Sequence, residues 1–402
     1  MWTQENRKSA QITAVVNGWP HAVQDIERAV YSALNLADRV LILLPDLLSP
    51  YGVEDFEGVP AEVARLPFWG SFASLRNELM GLVGTPWVFF LDGGEEFTVM
   101  DRADVFQALG SDNLQAFCMT VQTSDPEEEV RLFPVSPVVR FGGRIWPQIE
   151  GSLMEFGYPV SSLSARISRR GGTSESLADA TRRLRASVAD VGRAALEDWR
   201  VPLVQATLDW GERRFEDARE RLAAMSGSAP EEALPLLEGL TASAWLAEGH
   251  YEAAYQAVNS ALERTPSRAD LWSLGGRALT ALGRHSEASN YFQRATRAEE
   301  IPLPYLEPGY ATFGARLRRS QADIRSGNVS GGLARLFALL QEHPRYRSAW
   351  QAVLAHLGPT PPDEVFTTMA AVVPPSQIRQ FFKTVTYPTK EEQRIRDWLK
   401  NH

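Results

Sequence analysis

Three carboxylates and two glycines follow directly on an apolar run in Trp87-Val88-Phe89-Phe90-Leu91-Asp92-Gly93-Gly94-Glu95-Glu96-Phe97. Carboxylates in such a place suit the removal of a proton from a nucleophile or the holding of a hard cation. An unbroken apolar run of strand length is the pattern of a strand covered on both faces of a parallel sheet. The glycines let the chain turn sharply at the strand's carboxyl end and let a ligand approach the backbone. In open α/β sheets that end is where ligands bind. The plainer reading of Asp92, Glu95 and Glu96 is a solvated acidic loop, and the residues alone leave both readings open.

The elements that must position these residues are legible on either side. Residues 12–16 (Ile-Thr-Ala-Val-Val) predict a strand, followed by a turn at Asn17-Gly18-Trp19-Pro20. A helix is predicted over 21–35, with Val23, Ile26, Ala29 and Val30 on one stripe. Residues 40–44 predict a second buried strand, closed by Pro45. Strand, helix, strand is the βαβ unit and implies a parallel sheet. Residues 49–60 read as a loop, 72–82 as a helix, and 116–122 and 129–133 as two further strands about a turn at 123–127. The α/β half ends near Arg170-Gly171-Gly172.

At 402 residues the chain has room for two domains, and 44% hydrophobic with 23% charged residues is ordinary for a globular protein. The net charge of −9 argues against nucleic acid or anionic lipid as a partner. The single cysteine, Cys118, excludes an internal disulfide and fits a reducing compartment, as a small buried hydrophobe. With no signal-like apolar core at the start and no run of membrane-spanning length, a cytoplasmic location and no membrane span are expected.

Beyond residue 172 the composition turns to Ala, Leu, Arg and Glu, and a repeat appears. Gly249 and Gly283 are 34 residues apart, the tetratricopeptide period. Ala244 and Ala278, Ala254 and Ala288, and Ala261 and Ala295 keep that spacing, small residues where paired helices approach closely. Tyr251, Trp272 and Phe292 fill larger positions, and Pro266 ends a helix. Weaker copies surround 215–218 and 327–344. The expected division is a domain over 10–172, a helical connector over 173–198, repeat hairpins over 199–358 and a helical tail over 359–402.

Four ordered stretches carry a family likeness: Phe72-Ala73-Ser74-Leu75-Arg76-Asn77, the run from Trp87 to Phe97, Arg131-Leu132-Phe133, and Phe141-Gly142-Gly143-Arg144-Ile145-Trp146-Pro147-Gln148-Ile149. With these the chain resembles the inverting glycosyltransferases of GT-A fold (family 2 type), in the branch with C-terminal tetratricopeptide repeats. The resemblance implies an α/β nucleotide-diphospho-sugar transferase domain followed by an all-α repeat domain. It implies a nucleotide-sugar donor and a peptide, protein or glycan acceptor presented by the repeats. It places Asp92, Glu95 and Glu96 in catalytic roles. It places Asn17, Asp46, Arg76, Asn77, Gly93, Gly94, Trp146, Gln148, Arg169 and Arg170 around the donor.

The chain departs from the family where charge is handled. The family's base-contacting Asp falls on Leu44, with Asp46 two residues on. The second Asp of Asp-x-Asp falls on Gly94, the His of Ile-His-Glu on Trp146, its Glu on Pro147, and a further His on Arg169. A manganese or magnesium ion is therefore not expected to be held, and no metal ligand is assigned. Arg169 and Arg170 would neutralise the diphosphate instead, with Gly93 and Gly94 leaving space for the donor. His21 is the only histidine among the first 249 residues, so no other imidazole is expected to substitute. Two functions follow: a glycosyltransferase, metal-independent if active, or a catalytically inactive pseudo-glycosyltransferase acting as an interaction scaffold.

Overall fold

The computed structural model describes residues 11–99, 102–110, 115–123, 125–169, 176–194, 198–231, 233–358 and 360–402. They fall into two compact units, one holding residues up to 150 with 158–205, the other 151–157 with 206–402. Arg170 and the boundary at 171–172 lie outside the described residues.

The first unit is built on one eight-stranded mixed sheet. Its strands are β1 (Ile12–Asn17), β2 (Arg39–Pro45), β3 (Glu62–Leu66), β4 (Trp87–Asp92), β5 (Glu95–Val99), β6 (Ala116–Gln122), β7 (Glu127–Pro134) and β8 (Val160–Arg169), in the order β3-β2-β1-β4-β7-β6-β8-β5. The first four run parallel, as the predicted βαβ pattern requires. From β7 onward antiparallel pairing enters, and β6 with β8 is parallel again. Helix α1 (Val23–Ala33) buries Ile26, Ala29, Val30 and Ala33 in the same cluster as Ala14, Val16, Ile42, Phe89 and Phe97. Leu44 is part of that cluster, wholly buried, so the residue standing in for the family's base-contacting acid is core.

Helix α2 (Phe72–Leu79) starts at Ser71, whose hydroxyl accepts the Ser74 amide. Three strands escape the sequence pattern. β3 buries only Ala64, and β8 fully buries only Ala165 and Ile167, so neither shows an apolar run. β5 opens with Glu95 and Glu96, the acids that read as a loop. Helices α3 (Arg102–Leu109), α4 (Glu150–Glu155) and α5 (Leu177–Ala194) complete the segments up to residue 194.

The second unit is helical. Four hairpins follow one another: α6 (Arg200–Gly211) with α7 (Phe215–Met225), α8 (Leu234–Glu248) with α9 (Tyr251–Arg264), α10 (Ala269–Ala281) with α11 (His285–Ala295), and α12 (Phe313–Arg325) with α13 (Val329–Glu342). Three turn on a left-handed glycine, Gly249, Gly283 and Gly327 at φ 84°, 76° and 94°, and the first turns on Arg213 at 67°. The next residue in each, Arg214, His250, Arg284 or Asn328, donates its amide to the carbonyl five residues back, at 2.8–2.9 Å. This is the Schellman closure of a helix end. The weaker copies around 215 and 327 thus share the geometry of the strong ones.

Gly327 follows Gly283 by 44 residues instead of 34. The longer spacing includes the segment between α11 and α12, where the Glu300 carboxylate accepts the Gly309 and Ala311 amides. After it the pattern resumes. Trp272 and Trp350, 78 residues apart, each donate Nε1 at 2.8 Å to the carbonyl of the proline six residues earlier, Pro266 and Pro344. Trp350 belongs to α14 (Arg347–Leu357), which precedes α15 (Pro362–Ala370), α16 (Pro375–Thr384) and α17 (Lys390–Asn401). Among the described residues no helix is long and apolar enough to cross a membrane.

Candidate functional site

Parallel pairing of β1 with β4 sets Asn17 opposite Asp92, so both strands end side by side. The Gly93 amide donates to the Asn17 carbonyl at 2.8 Å, holding the turn after β4 against β1. Asn17 Nδ2 donates to the Trp19 carbonyl at 3.0 Å and to Asp92 Oδ1 at 3.2 Å, while its buried Oδ1 has no donor among the described residues. The Arg76 guanidinium lies over the Phe90 and Phe141 rings, 4.9 and 5.3 Å from their centroids. Its Nη2 stands 3.7 Å from Asp92 Oδ1, and among the described residues it donates no hydrogen bond. Burial alone would raise the Asp92 pKa. Arg131, Arg76, His21 and the Asn17 amide outweigh it and hold the carboxyl below the usual range.

Glu95 stands differently. It is 1% exposed, and both its oxygens face Arg131, Oε2 at 2.9 Å from Nη1 and Oε1 at 2.9 Å from Nη2. Arg169 adds Nη2 at 2.8 Å and Nε at 3.1 Å, both to Oε1. The Asp92 amide donates to Oε2 at 2.9 Å. Glu129 closes the group, 2.8 Å from Arg131 and 3.4 Å from Arg169. Burial would lower the pKa of Arg131 and of Arg169, but the charge of Glu95 raises both. Counting Arg76 and Asp92, three arginines meet three carboxylates. Glu96, the next residue along β5, points to the opposite side by strand alternation and lies 3.7 Å from Arg28, half exposed.

The space expected beside Gly93 and Gly94 is taken. A Cβ on Gly93 would come within 2.9 Å of His21 Cβ and of Ile26, and one on Gly94 within 2.9 Å of the His21 ring. The glycines accommodate a neighbour's imidazole. His21, the one histidine among the first 249 residues, is therefore the imidazole at this strand end. Burial lowers its pKa, against the charges of Asp92 and Glu95, which raise it.

The remaining predicted residues have structural partners. Trp146 stacks on Phe72 (5.1 Å, 11°), which stacks on Trp19 (5.2 Å, 23°), and its Nε1 donates to Thr181 at 2.9 Å. Gln148 is exposed and exchanges backbone hydrogen bonds with Gly142 at 2.7 and 2.9 Å. Between them Gly143 (φ 100°) lies so close to the Trp146 carbonyl that no side chain fits. Asn77 pairs in both directions with the Phe141 backbone at 2.8 Å, fixing α2 to that loop. Asp46 accepts the Phe68 amide at 3.0 Å and Arg200 at 2.9 Å. The structure thus gathers Asn17, Arg76 and Asp92 at the end of β4, gathers Glu95 and Arg169 in an adjoining ion cluster, and ties Asn77, Asp46, Trp146 and Gln148 into neighbouring segments.

Arg131, Glu129 and His21 were not among the predicted site residues. A signal existed for Arg131: an arginine inside Val130-Arg131-Leu132-Phe133 needs a buried acid, because a strand of this kind has no solvent for its charge.

No family model matches the chain, and no curated protein matches it. Among solved structures, YrrB, described as a TPR protein with an unusual peptide-binding site, is similar at 14% identity and TM-score 0.34, over 44% of this chain and 84% of that one. Yeast Tom70 is similar at 12% identity and TM-score 0.37, over 53% of this chain and 43% of that one. GalNAc-T7, solved with UDP, GalNAc and Mn2+, is similar at 10% identity and TM-score 0.33, over 45% of this chain and 48% of that one. At these TM-scores the likenesses carry no argument about what this chain does.

Proposed function

We propose that this chain is a protein-interaction scaffold. Its sheet unit has the form of a nucleotide-sugar transferase with the donor cleft filled by its own side chains, and its repeat unit holds a segment of a partner protein. The observation that carries the reading is the Glu95 cluster. A diphosphate brings two or more negative charges, and Arg169, expected to meet them, is bonded to Glu95 and Glu129. Binding a donor there means displacing a buried carboxylate from two arginines, which is costly because the displaced charge loses its partners. A divalent cation fares no better. Glu95 already faces arginines, the position of the second Asp is Gly94, and Arg169 is itself a cation, whereas hard cations take several oxygen ligands. The Gly94 space, filled by His21, points the same way.

The repeat unit supports the positive half of the reading. Stacked hairpins of one turn geometry build an extended surface suited to a peptide. On α10, Arg277 donates no hydrogen bond among the described residues; burial followed by the nearby charge of Arg318 lowers its pKa, against the charge of Glu307, which Arg277 shares with Arg318. Such a cation suits a partner carboxylate. Panning a displayed peptide library on the full chain tests this. Peptides should be enriched that bind the parent chain and lose about tenfold or more in affinity on Arg277→Gln, the scale of one charge-assisted contact. Enrichment indifferent to Arg277, or no enrichment, contradicts the reading.

A transferase working without a metal is the second reading, and one observation favours it. Asp92 is 31% exposed beside Arg76 and the unpaired Asn17 Oδ1, a set suited to a ribose hydroxyl. In that reading Asp92→Asn removes turnover and leaves stability nearly unchanged.

A further inference from the structure

A group of arginines with little counter-charge lies on α12, on α13 and just beyond α11. Arg319 of α12 is partly buried, and its Nε is out of contact with water and has no hydrogen-bond acceptor among the described residues. Arg335 of α13 directs Nη1 to the Gly331 carbonyl at 2.8 Å and lies 2.8 Å from Asp323 Oδ2. Asp323 is largely buried, and its other oxygen accepts the Ser289 hydroxyl at 2.6 Å. The Arg297 side chain, just beyond α11, is exposed and makes no hydrogen bond or ion pair among the described residues. Arg335 thus pairs with Asp323, Arg319 stands one helical turn before that carboxylate on α12, and the Arg297 charge acts on Arg319.

From this we infer an oxyanion-binding site on the repeat unit, taking a phosphate group between Arg319, Arg335 and Arg297. A buried N–H without an acceptor is costly, and a ligand oxygen that meets it recovers that cost. Guanidinium groups match the oxygen spacing of phosphate, often through two hydrogen bonds at once. Two net positive charges match the charge of a phosphate monoester near neutral pH. Asp323 Oδ2, which has no hydrogen bond of its own, stands at the same place and sets a limit. Its negative charge opposes an incoming oxyanion, so binding rests on the two arginines in excess over Asp323. Burial, and then the charges of Arg335 and Arg297, make the Arg319 charge costly in the free protein, with Asp323 opposing them. An incoming anion would relieve this.

The same chemistry is offered by free phosphate and by a phosphorylated side chain of a partner. The test uses the full chain and two probes, inorganic phosphate and a short phosphoserine peptide, with chloride at equal ionic strength and the unphosphorylated peptide as controls. Binding is followed by calorimetry. Saturable binding of at least one phosphate probe should appear, weakened about tenfold or more by Arg297→Gln, a loss on the scale of one charge-assisted contact. Arg297 is exposed, so its replacement leaves folding nearly untouched. Arg319→Lys, which keeps the charge but loses Nε, should weaken binding as well. A peptide that binds at least tenfold more tightly than inorganic phosphate assigns the site to a phosphorylated partner, and equal affinity assigns it to the free ion. No saturable binding, or binding unchanged in Arg297→Gln, overturns the inference. The outcome is independent of the scaffold reading, because nucleotide sugars and the Arg277 peptides are not probes in it.

Discussion

The two units handle charged residues in opposite ways. At the strand ends of the sheet unit, Glu95, Glu129, Arg131 and Arg169 pair with one another, Arg131 Nε being left without an acceptor among the described residues, and both oxygens of the 1%-exposed Glu95 are engaged by arginines. In the repeat unit Arg277, Arg297 and Arg319 find no acceptor of their own among the described residues. A motif rich in acids and arginines is thus compatible with a purely structural use, while arginines with no motif around them are the ones left open. The lesson is to ask of each charge what already neutralises it before asking what it binds.

The largest expected effect breaks this contrast at its firmest point. Glu95→Gln leaves Arg131 and Arg169 buried with too little negative charge, and losing one partner of a buried pair costs about 3–5 kcal/mol. Denaturant unfolding should show that loss in the sheet unit. Glu342→Gln, which breaks the largely exposed pair with Arg316 in the repeat unit, should cost about 1 kcal/mol or less. Equal effects would erase the comparison. A Glu95→Gln chain as stable as the parent would restore Glu95 as an open acid.

Next come the glycines. Gly94→Ala drives a methyl against the His21 ring, and overpacking of this kind costs about 1–3 kcal/mol. His21→Ala in the same chain should recover much of it. Gly283→Ala in the repeat unit has open space around the new methyl, so its cost of about 1–2 kcal/mol comes from the left-handed backbone alone. No neighbouring substitution should relieve that one. Melting temperatures of these three variants, and of Gly283→Ala combined with a neighbouring substitution, decide it, and recovery of Gly283→Ala by a neighbour would contradict the account.

The smallest effect is on pH. Burial holds the His21 pKa below 6.5 in the folded chain, so below about pH 6.5 the unfolded chain binds the extra proton first. His21 therefore contributes stability present above that pH and lost as pH falls. His343 in the repeat unit has the same sign, again through burial. Between pH 7.5 and 5.5, His21→Gln should flatten the pH dependence of the sheet unit's unfolding, and His343→Gln that of the repeat unit. A steeper dependence in either variant would contradict the assignment.

Of the parallel strands, β1, β2 and β4 were legible because two-sided burial leaves apolar runs at 12–16 (broken only by Thr13), 40–44 and 87–91, whereas β3 has one buried residue and no such run. β5 was hidden because its two leading acids are neutralised by residues far away in sequence, and local pattern carries no trace of Arg131 or Arg169. The partner of the Gly93-Gly94 pair was equally out of reach, since His21 arrives through the β1–β4 pairing. In the repeats the left-handed turn selects glycine, which exposed the period. The first hairpin went weakly marked because Arg213 takes that conformation without being glycine.

The central claim is that the sheet unit no longer accepts a nucleotide sugar. Calorimetric titration of the full chain with uridine, guanosine, adenosine and thymidine diphosphates and their common sugars, with and without manganese, tests it most directly. The account predicts no saturable binding up to millimolar concentration in either condition. Saturable binding of any donor that is hydrolysed by the parent chain, and not by Asp92→Asn, would contradict it.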